Sequence, residues 1–463
     1  MFTKRLKHSF HVGHQSPRLC SGRTVVSMLF VLLCGCVTLR GASTRLTPRE
    51  EAQVFLQRGE GAKALRLLVE LQEKAPADLS LARMVAEAHV KAGSAEAFLA
   101  ALATQDTALS HYQQGLVRFA RASDASAPAI ADFRRAAALA PGEPEFRYRL
   151  GVALLESEQY EPARVELEAA AKEAGDRPSW FLPLAKVRYR TGDNKGATDA
   201  IRTVVTGGPT PADVKVARAL MDQIGDPFSS FPRSARAQLE QAIQWLEVAD
   251  VPQQAIVQLE ELLQNHPDEA ILHALLGLSW ARLDDAGRAV EALKRAIELA
   301  PGDGKNHLYL AQLYEARQRS KNAEEHYRLA LERNPVLDEA WLRMGDVALD
   351  RQDYVTARKN FEVAVRLVPE SAPAHGKLSL VYQLDGNWPA ADRELRVVLD
   401  RDPENLEFML RLGVLHTERF VKSKSTRERD QASTEATLWL QKVLETQPEN
   451  AIASRALARL KIR

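Results

Sequence analysis

Three histidines, His273, His307 and His375, recur at multiples of 34 residues. Histidine binds metals and carries protons, so a ladder of ions is the first chemistry to weigh. Equivalent side chains on neighbouring packed helices lie roughly 10 Å apart, too far to share one ion held at about 2 Å. Trp341 takes the same register in the intervening interval, so the slot reads as one for a flat, partly polar ring. "PGDGKN" at 301–306 contains Gly-Lys, yet it lacks the first glycine of a phosphate loop and the Ser/Thr after the lysine. It reads as a turn. The paired acids of "LEELLQ" and "DEA" read as solvated faces or first-turn acids that favour the helix dipole. No Cys-x-x-Cys-His and no His-Glu-x-x-His occurs. The expectation is a non-enzyme with no metal site, no cofactor and no small-molecule substrate.

All three cysteines, Cys20, Cys34 and Cys36, fall in the first 36 residues. The rest of the chain therefore has neither a disulfide framework nor a cysteine-ligated zinc site. Residues 25–39, "VVSMLFVLLCGCVTL", are apolar apart from Ser27, Gly35 and Thr38, and a basic stretch precedes them. That layout is the one an export signal uses, and 15 residues fall short of the roughly 20 that span a bilayer. Leu33-Cys34-Gly35-Cys36 resembles the lipobox of bacterial lipoproteins. The resemblance implies cleavage before Cys36 and acyl chains on that residue, which would tether the protein to a membrane. It places the body on the periplasmic side of the cell envelope, at the outer membrane. A short uncleaved anchor in the inner membrane, or an ordinary signal cleaved near Ala42, remain open readings.

The 62 basic and 61 acidic residues nearly cancel. Without residues 1–35, which carry five bases and no acid, the balance is 57 to 61. A nucleic-acid partner would want a basic face for phosphates, and that class is disfavoured. Only 29 aromatic residues are present, so platforms for direct glycan binding are scarce too.

What positions these side chains is a 34-residue ruler. Pro267, Pro301, Pro335, Pro369 and Pro403 mark it. In residues 338–371, Trp341, Met344, Gly345 and Ala348 follow the i, i+3, i+4, i+7 spacing of one helix face, and Ala357, Phe361 and Ala364 repeat it on a second. "DRQDY" between them is a polar turn. Small residues at the eighth and twentieth positions permit close approach of the two backbones. Large ones at the fourth, eleventh and twenty-fourth fill the remaining space. Proline at the thirty-second stops the second helix. Residues 144–177, 178–211, 270–303 and 304–337 superpose on this pattern.

The pattern resembles the tetratricopeptide repeat (TPR) family over roughly residues 45–463. The fold expected is all-α: a right-handed α-solenoid of stacked antiparallel helix pairs, each pair covering its neighbour's apolar face. The segmentation expected is a signal peptide at 1–35, a linker at 36–44, an N-terminal array at 45–211, and a half-repeat and hinge at 212–235. A C-terminal array at 236–450 follows, with an inserted mobile loop near 420–431, and then a capping helix at 451–463. Phe228 and Phe231 in the break read as a plug between the arrays.

The resemblance further implies a concave groove lined by the second, fifth, ninth and twelfth positions of each first helix. Here those positions include Tyr148 and Val152, Leu182 and Lys186, and Ile271 and Leu278. Further along they include Leu308 and Gln312, Leu342 and Asp346, Leu380 and Gln383, and Leu410 and Val414. The lining reads as substantially aliphatic, and the Lys/Asn set of chaperone-type carboxylate clamps does not repeat. The functional expectation is a protein-protein interaction scaffold of the bacterial envelope that takes peptides or proteins with apolar anchors. An accessory subunit of an envelope enzyme complex is the alternative.

Overall fold

Each repeat turns on a backbone feature that its side chains only partly advertise. The fifteenth position adopts the left-handed conformation in every repeat from residue 144 to residue 405. Gly192 and Gly386 do so freely, whereas Glu158, Asp250, Asp284, Gln318 and Gln352 hold φ between +54° and +65° with a Cβ in place. The next amide then reaches back five residues, as from Asp353 to the Ala348 carbonyl at 2.9 Å and from Asp285 to the Trp280 carbonyl at 3.0 Å. This Schellman closure satisfies carbonyls that the helix end would otherwise orphan. The same Asp285 and Asp353 then cap the second helix, accepting from the backbone N–H of Arg288 and Thr356. One tight turn thus ends one helix and starts the next.

The computed structural model describes residues 46–121, 127–225 and 231–461. Cys36 and Phe228, on which two of the expectations rest, lie outside them. Among the described residues there are 24 α-helices and no strand. Packing divides the chain into two compact units, one ending at Ala170 and the other beginning at Ala171.

The first unit stacks four helix pairs: α1 (Pro48–Gln57) with α2 (Gly61–Lys74), α3 (Leu79–Lys91) with α4 (Ala95–Leu102), α5 (Ala108–Arg121) with α6 (Ala127–Leu139), and α7 (Pro144–Glu156) with α8 (Tyr160–Lys172). Its interior is mainly alanine and leucine, with Tyr112 and Phe133 wholly buried between pairs.

The second unit begins with α9 (Phe181–Arg190), α10 (Asn194–Thr206) and α11 (Pro211–Ile224). The regular array follows: α12 (Arg236–Glu247) with α13 (Pro252–Asn265), α14 (Ala270–Arg282) with α15 (Ala286–Leu299), α16 (Gly304–Ala316) with α17 (Ser320–Arg333), α18 (Asp338–Asp350) with α19 (Tyr354–Leu367), and α20 (Ala372–Leu384) with α21 (Trp388–Arg401). It ends in α22 (Leu406–Lys422), α23 (Thr426–Thr446) and α24 (Ala451–Leu460). Within each pair the small eighth residue meets the large twenty-fourth. A Cβ added to Gly345 would stand 2.3 Å from the Phe361 ring, and one on Gly277 2.7 Å from Leu293. The all-α solenoid of helix hairpins is the fold.

Two local expectations change. The insert near 420–431 is not a loop. It lengthens α22 to 17 residues and α23 to 21, leaving only Ser423–Ser425 between them. The segment is rich in Arg, Lys, Glu and Gln, which favour helix. Phe420 and Ala432 extend the apolar stripes of the two helices inward, at 9% and 0% exposure. Secondly, α9–α11, counted by register with the N-terminal repeats and the break, pack in the second unit. Ile201, Val204, Val214 and Leu220 share one apolar cluster with Val336, Val363 and Leu367. Phe231 is buried and meets His266 edge-on at 5.8 Å. At the C-terminus, α24 buries Ala453 and Ala456 against the α22–α23 cluster.

Candidate functional site

The first helices of the second unit share one face, and cross-helix bonds trace it. Arg343 of α18 reaches Glu315 of α16 at 3.4 Å. Lys377 of α20 reaches Asp346 of α18 at 2.7 Å. Gln383 of α20 donates to Glu418 of α22 at 2.8 Å. These bonds join consecutive first helices, linking a sixth position to the twelfth or ninth of the helix before it, and a twelfth to a thirteenth.

The groove positions expected from sequence fall into two groups. Leu182, Ile271, Leu278 and Leu308 are buried, at 9%, 7%, 5% and 4% exposure, and belong to the packing. Large apolar side chains at the second, fifth and ninth positions of α9, α14 and α16 fill the space beside the adjoining helices rather than facing outward. Gln312, Leu342, Asp346, Gln383, Leu410 and Val414 are half-buried, and Leu380 is exposed at 39% with Leu384 beside it at 49%. In the first unit Tyr148 and Val152 are half-buried, with the Arg149 guanidinium over the Tyr148 ring at 5.3 Å, while Lys186 in the second is exposed. The open part of the face is therefore the stretch from α18 to α22.

Its polar half joins the expected Gln312, Asp346 and Gln383 to residues that the register did not single out. Arg343, with a side chain only 15% exposed, stands among Glu315, Glu339 and Asp346. Tyr327 donates to Glu315 at 2.5 Å. Burial raises the Glu339 carboxyl above its ordinary range, opposed by Arg343 and by a hydrogen bond from Gln312. Arg343 in turn is raised, burial being outweighed by the surrounding carboxylates. Upstream, burial pushes Glu247 at the end of α12 up to about 7, opposed by Arg282. Glu339 stood in the sequence as one of two first-turn acids. Nothing in the 34-residue pattern separates its role from that of Asp338, because both occupy the first turn and differ only in the helix face they present.

The ring slot at the fourth position resolves into a hydrogen bond. His273 Nε2 lies 2.8 Å from the Pro267 carbonyl, Trp341 donates to Pro335 at 2.8 Å, and His375 Nε2 lies 3.0 Å from Pro369. A flat ring with an outer nitrogen therefore ties each first helix to the preceding proline turn. His307 instead meets His326, with 3.0 Å between their Nδ1 atoms, and burial holds it down to about 4. Among the described residues no group of three or more His, Cys, Asp or Glu is placed to hold a metal ion. "PGDGKN" is the turn before α16, with Asp303 capping that helix through the Lys305 N–H. Among the described residues no helix is long and apolar enough to cross a membrane.

The fold and this face define a class: a solenoid of helix-hairpin repeats, an architecture suited to holding protein or peptide partners along its first helices. Comparison with known proteins agrees. Residues 221–375 match the cytochrome c-type biogenesis protein H TPR domain, and residues 120–187 match a tetratricopeptide repeat model. The human protein O-mannosyl-transferase TMTC1 is 29% identical over 117 residues, and its mouse counterpart 29% over 134. These matches span 24% and 28% of this chain but only 13% and 14% of those proteins. Among solved structures, pilF of Pseudomonas aeruginosa aligns at 16% identity and TM-score 0.41, over 48% of this chain and 96% of that one. PilW, a type IV pilus biogenesis factor, aligns at 14% and 0.39, over 49% and 99%.

Proposed function

We propose that this chain is a non-enzymatic scaffold of the bacterial cell envelope, tethered through lipid on Cys36 and holding protein partners along α18–α22. The observation that carries the scaffold reading is the pairing of exposed Leu380 and Leu384 and half-buried Leu410 and Val414 with the polar row from Gln312 to Glu418. Apolar anchors supply affinity, and polar groups already held in place set register at little entropic cost. The envelope part rests on the basic and apolar leader and on Leu33–Cys36. Several acyl chains on one residue hold a protein at a membrane far more firmly than one, at about 0.8 kcal/mol per buried CH₂. The match of residues 221–375 to a domain named for c-type cytochrome biogenesis supports a role in the maturation of other proteins.

The partial likeness to an O-mannosyl-transferase favours a second reading, an accessory subunit of an envelope enzyme complex. Co-purification from membranes, with and without Cys36→Ala and Leu380→Asp/Val414→Asp, separates the two. Loss of membrane association in the first variant and of partners in the second supports the scaffold. A glycosyltransferase or peptidoglycan enzyme among the lost partners supports the accessory role. Unchanged recovery in the second variant removes α18–α22 as the docking face.

A further inference from the structure

We infer that α10 and α11 form a separable latch that closes one end of the first-helix face in the second unit. In a stack of repeats each hairpin touches its sequence neighbours. Here α10–α11 also touch helices more than 100 residues ahead. The Arg202 guanidinium donates to the Glu332 carbonyl and, at 3.4 Å, to that of Leu331, at the end of α17. Arg218 bonds the Leu367 carbonyl at 3.2 Å, at the end of α19, and Asp338 at 3.3 Å. Both arginines therefore cap helix C-termini, where exposed carbonyls and the helix dipole favour a cation. Between them runs a short apolar seam to Val336, Val363 and Leu367.

Three observations make this closure separable. Opening it leaves the hairpins it touches stacked on one another, α16–α17 against α18–α19. Its polar ties are part-exposed, Arg202 at 31% and Arg218 at 37%, and so are open to competition from water and salt. And the surfaces mate over only part of their length. Beside the seam lies a cavity of about 570 Å³, bounded by Lys195 and Thr198 of α10, Ile224 of α11 and the turns at Asp268–Ile271 and Pro301–Asp303. It is a cleft open to solvent on one side, so the two surfaces stay unmated there.

Ile271 connects latch to site. It holds the second position of α14, a groove position by register, and it also lines this cavity. In place, α10–α11 line one cleft with Ala270 and Ile271 at the start of α14. With them released, Ile271 and the seam residues come within reach of a chain lying along the first helices. This gating role rests on the docking face proposed above; the latch itself does not.

A distance measurement tests it. Val216 on α11 and Val355 on α19 are exposed at 51% and 56%, and no cysteine follows Cys36. The full chain, with Cys20, Cys34 and Cys36 changed to serine, takes spin labels at Val216→Cys and Val355→Cys. The expected result is a short, narrow distance in dilute buffer. A longer population should take over with Arg202→Ala/Arg218→Ala, while the circular dichroism stays unchanged. Amide exchange at 268–272 should rise at least about tenfold in the same variant. A second variant, Val336→Asp, attacks the seam from a turn. A wild-type distance distribution in both variants overturns the latch, as does a broad distribution in the unaltered chain. Opening without faster exchange at 268–272 overturns the gating. Failure of the docking face shows separately, as normal distances with partner recovery unaffected by Leu380→Asp/Val414→Asp.

Discussion

Leu308 on α16 and Leu380 on α20 are both leucines on first helices, both assigned to the groove by register, yet one is 4% exposed and the other 39%. The α14–α16 stretch turns such residues into packing, and the α20–α22 stretch leaves them open. Register fixes which way a side chain points along its own helix. What stands opposite decides whether it is core or contact surface.

Truncation should separate the two stretches most sharply. Leu308→Ala is expected to cost about 2–5 kcal/mol, and Leu380→Ala to stay within about 0.5 kcal/mol. Urea unfolding of both variants measures this, and equal midpoints would erase the distinction. Charge should follow with a smaller gap. Arg343→Ala strips a cation from among three carboxylates and should cost about 1–3 kcal/mol. Arg411→Ala, which removes an exposed partner of Glu407, should cost no more than about 0.5 kcal/mol. Thermal melts in low and high salt would tell them apart, since only the Arg411 effect should fade with salt.

Upstream of the closed stretch, the end of α12 should also report on pH. Burial raises Glu247 to about 7 from its ordinary 4.5, so folding favours the protonated form. Its contribution is full below about 4.5 and is lost as pH rises through 7. Glu247→Gln should flatten the stability profile across that window. A profile with the same slope in both proteins would rule out Glu247 as its source. The smallest effect concerns turns common to both stretches. Gln318→Gly and Gln352→Gly relieve left-handed strain and should each stabilise by about 0.5–1 kcal/mol. Calorimetry showing no gain would mean that those side chains supply compensating contacts.

Much of the fold was legible because its rules are local. Gly345 and Phe361 announce a close helix pair, and Pro335 announces where the second helix stops. The left-handed fifteenth position was less legible, since Glu, Asp and Gln occupy it as well as Gly. The insert was misread as a loop because its polar residues hide Phe420 and Ala432, which sit at helical spacing from the apolar residues on either side. Of the site, the first-helix positions were legible, and their exposure was not. Arg343, Glu315 and Lys377 form a network only when three hairpins stack, and no single repeat shows it.

The sequence by itself determined the period, the pairing of helices and the face each first helix presents, because those follow from contacts within a repeat and with the next. Tertiary structure alone decided which leucines of that face stay open, and that Arg202 and Arg218 cap helices 129 to 149 residues away. The physical reason is range. A repeating pattern records what neighbours require of one another, and a contact about four repeats distant leaves no mark on the period.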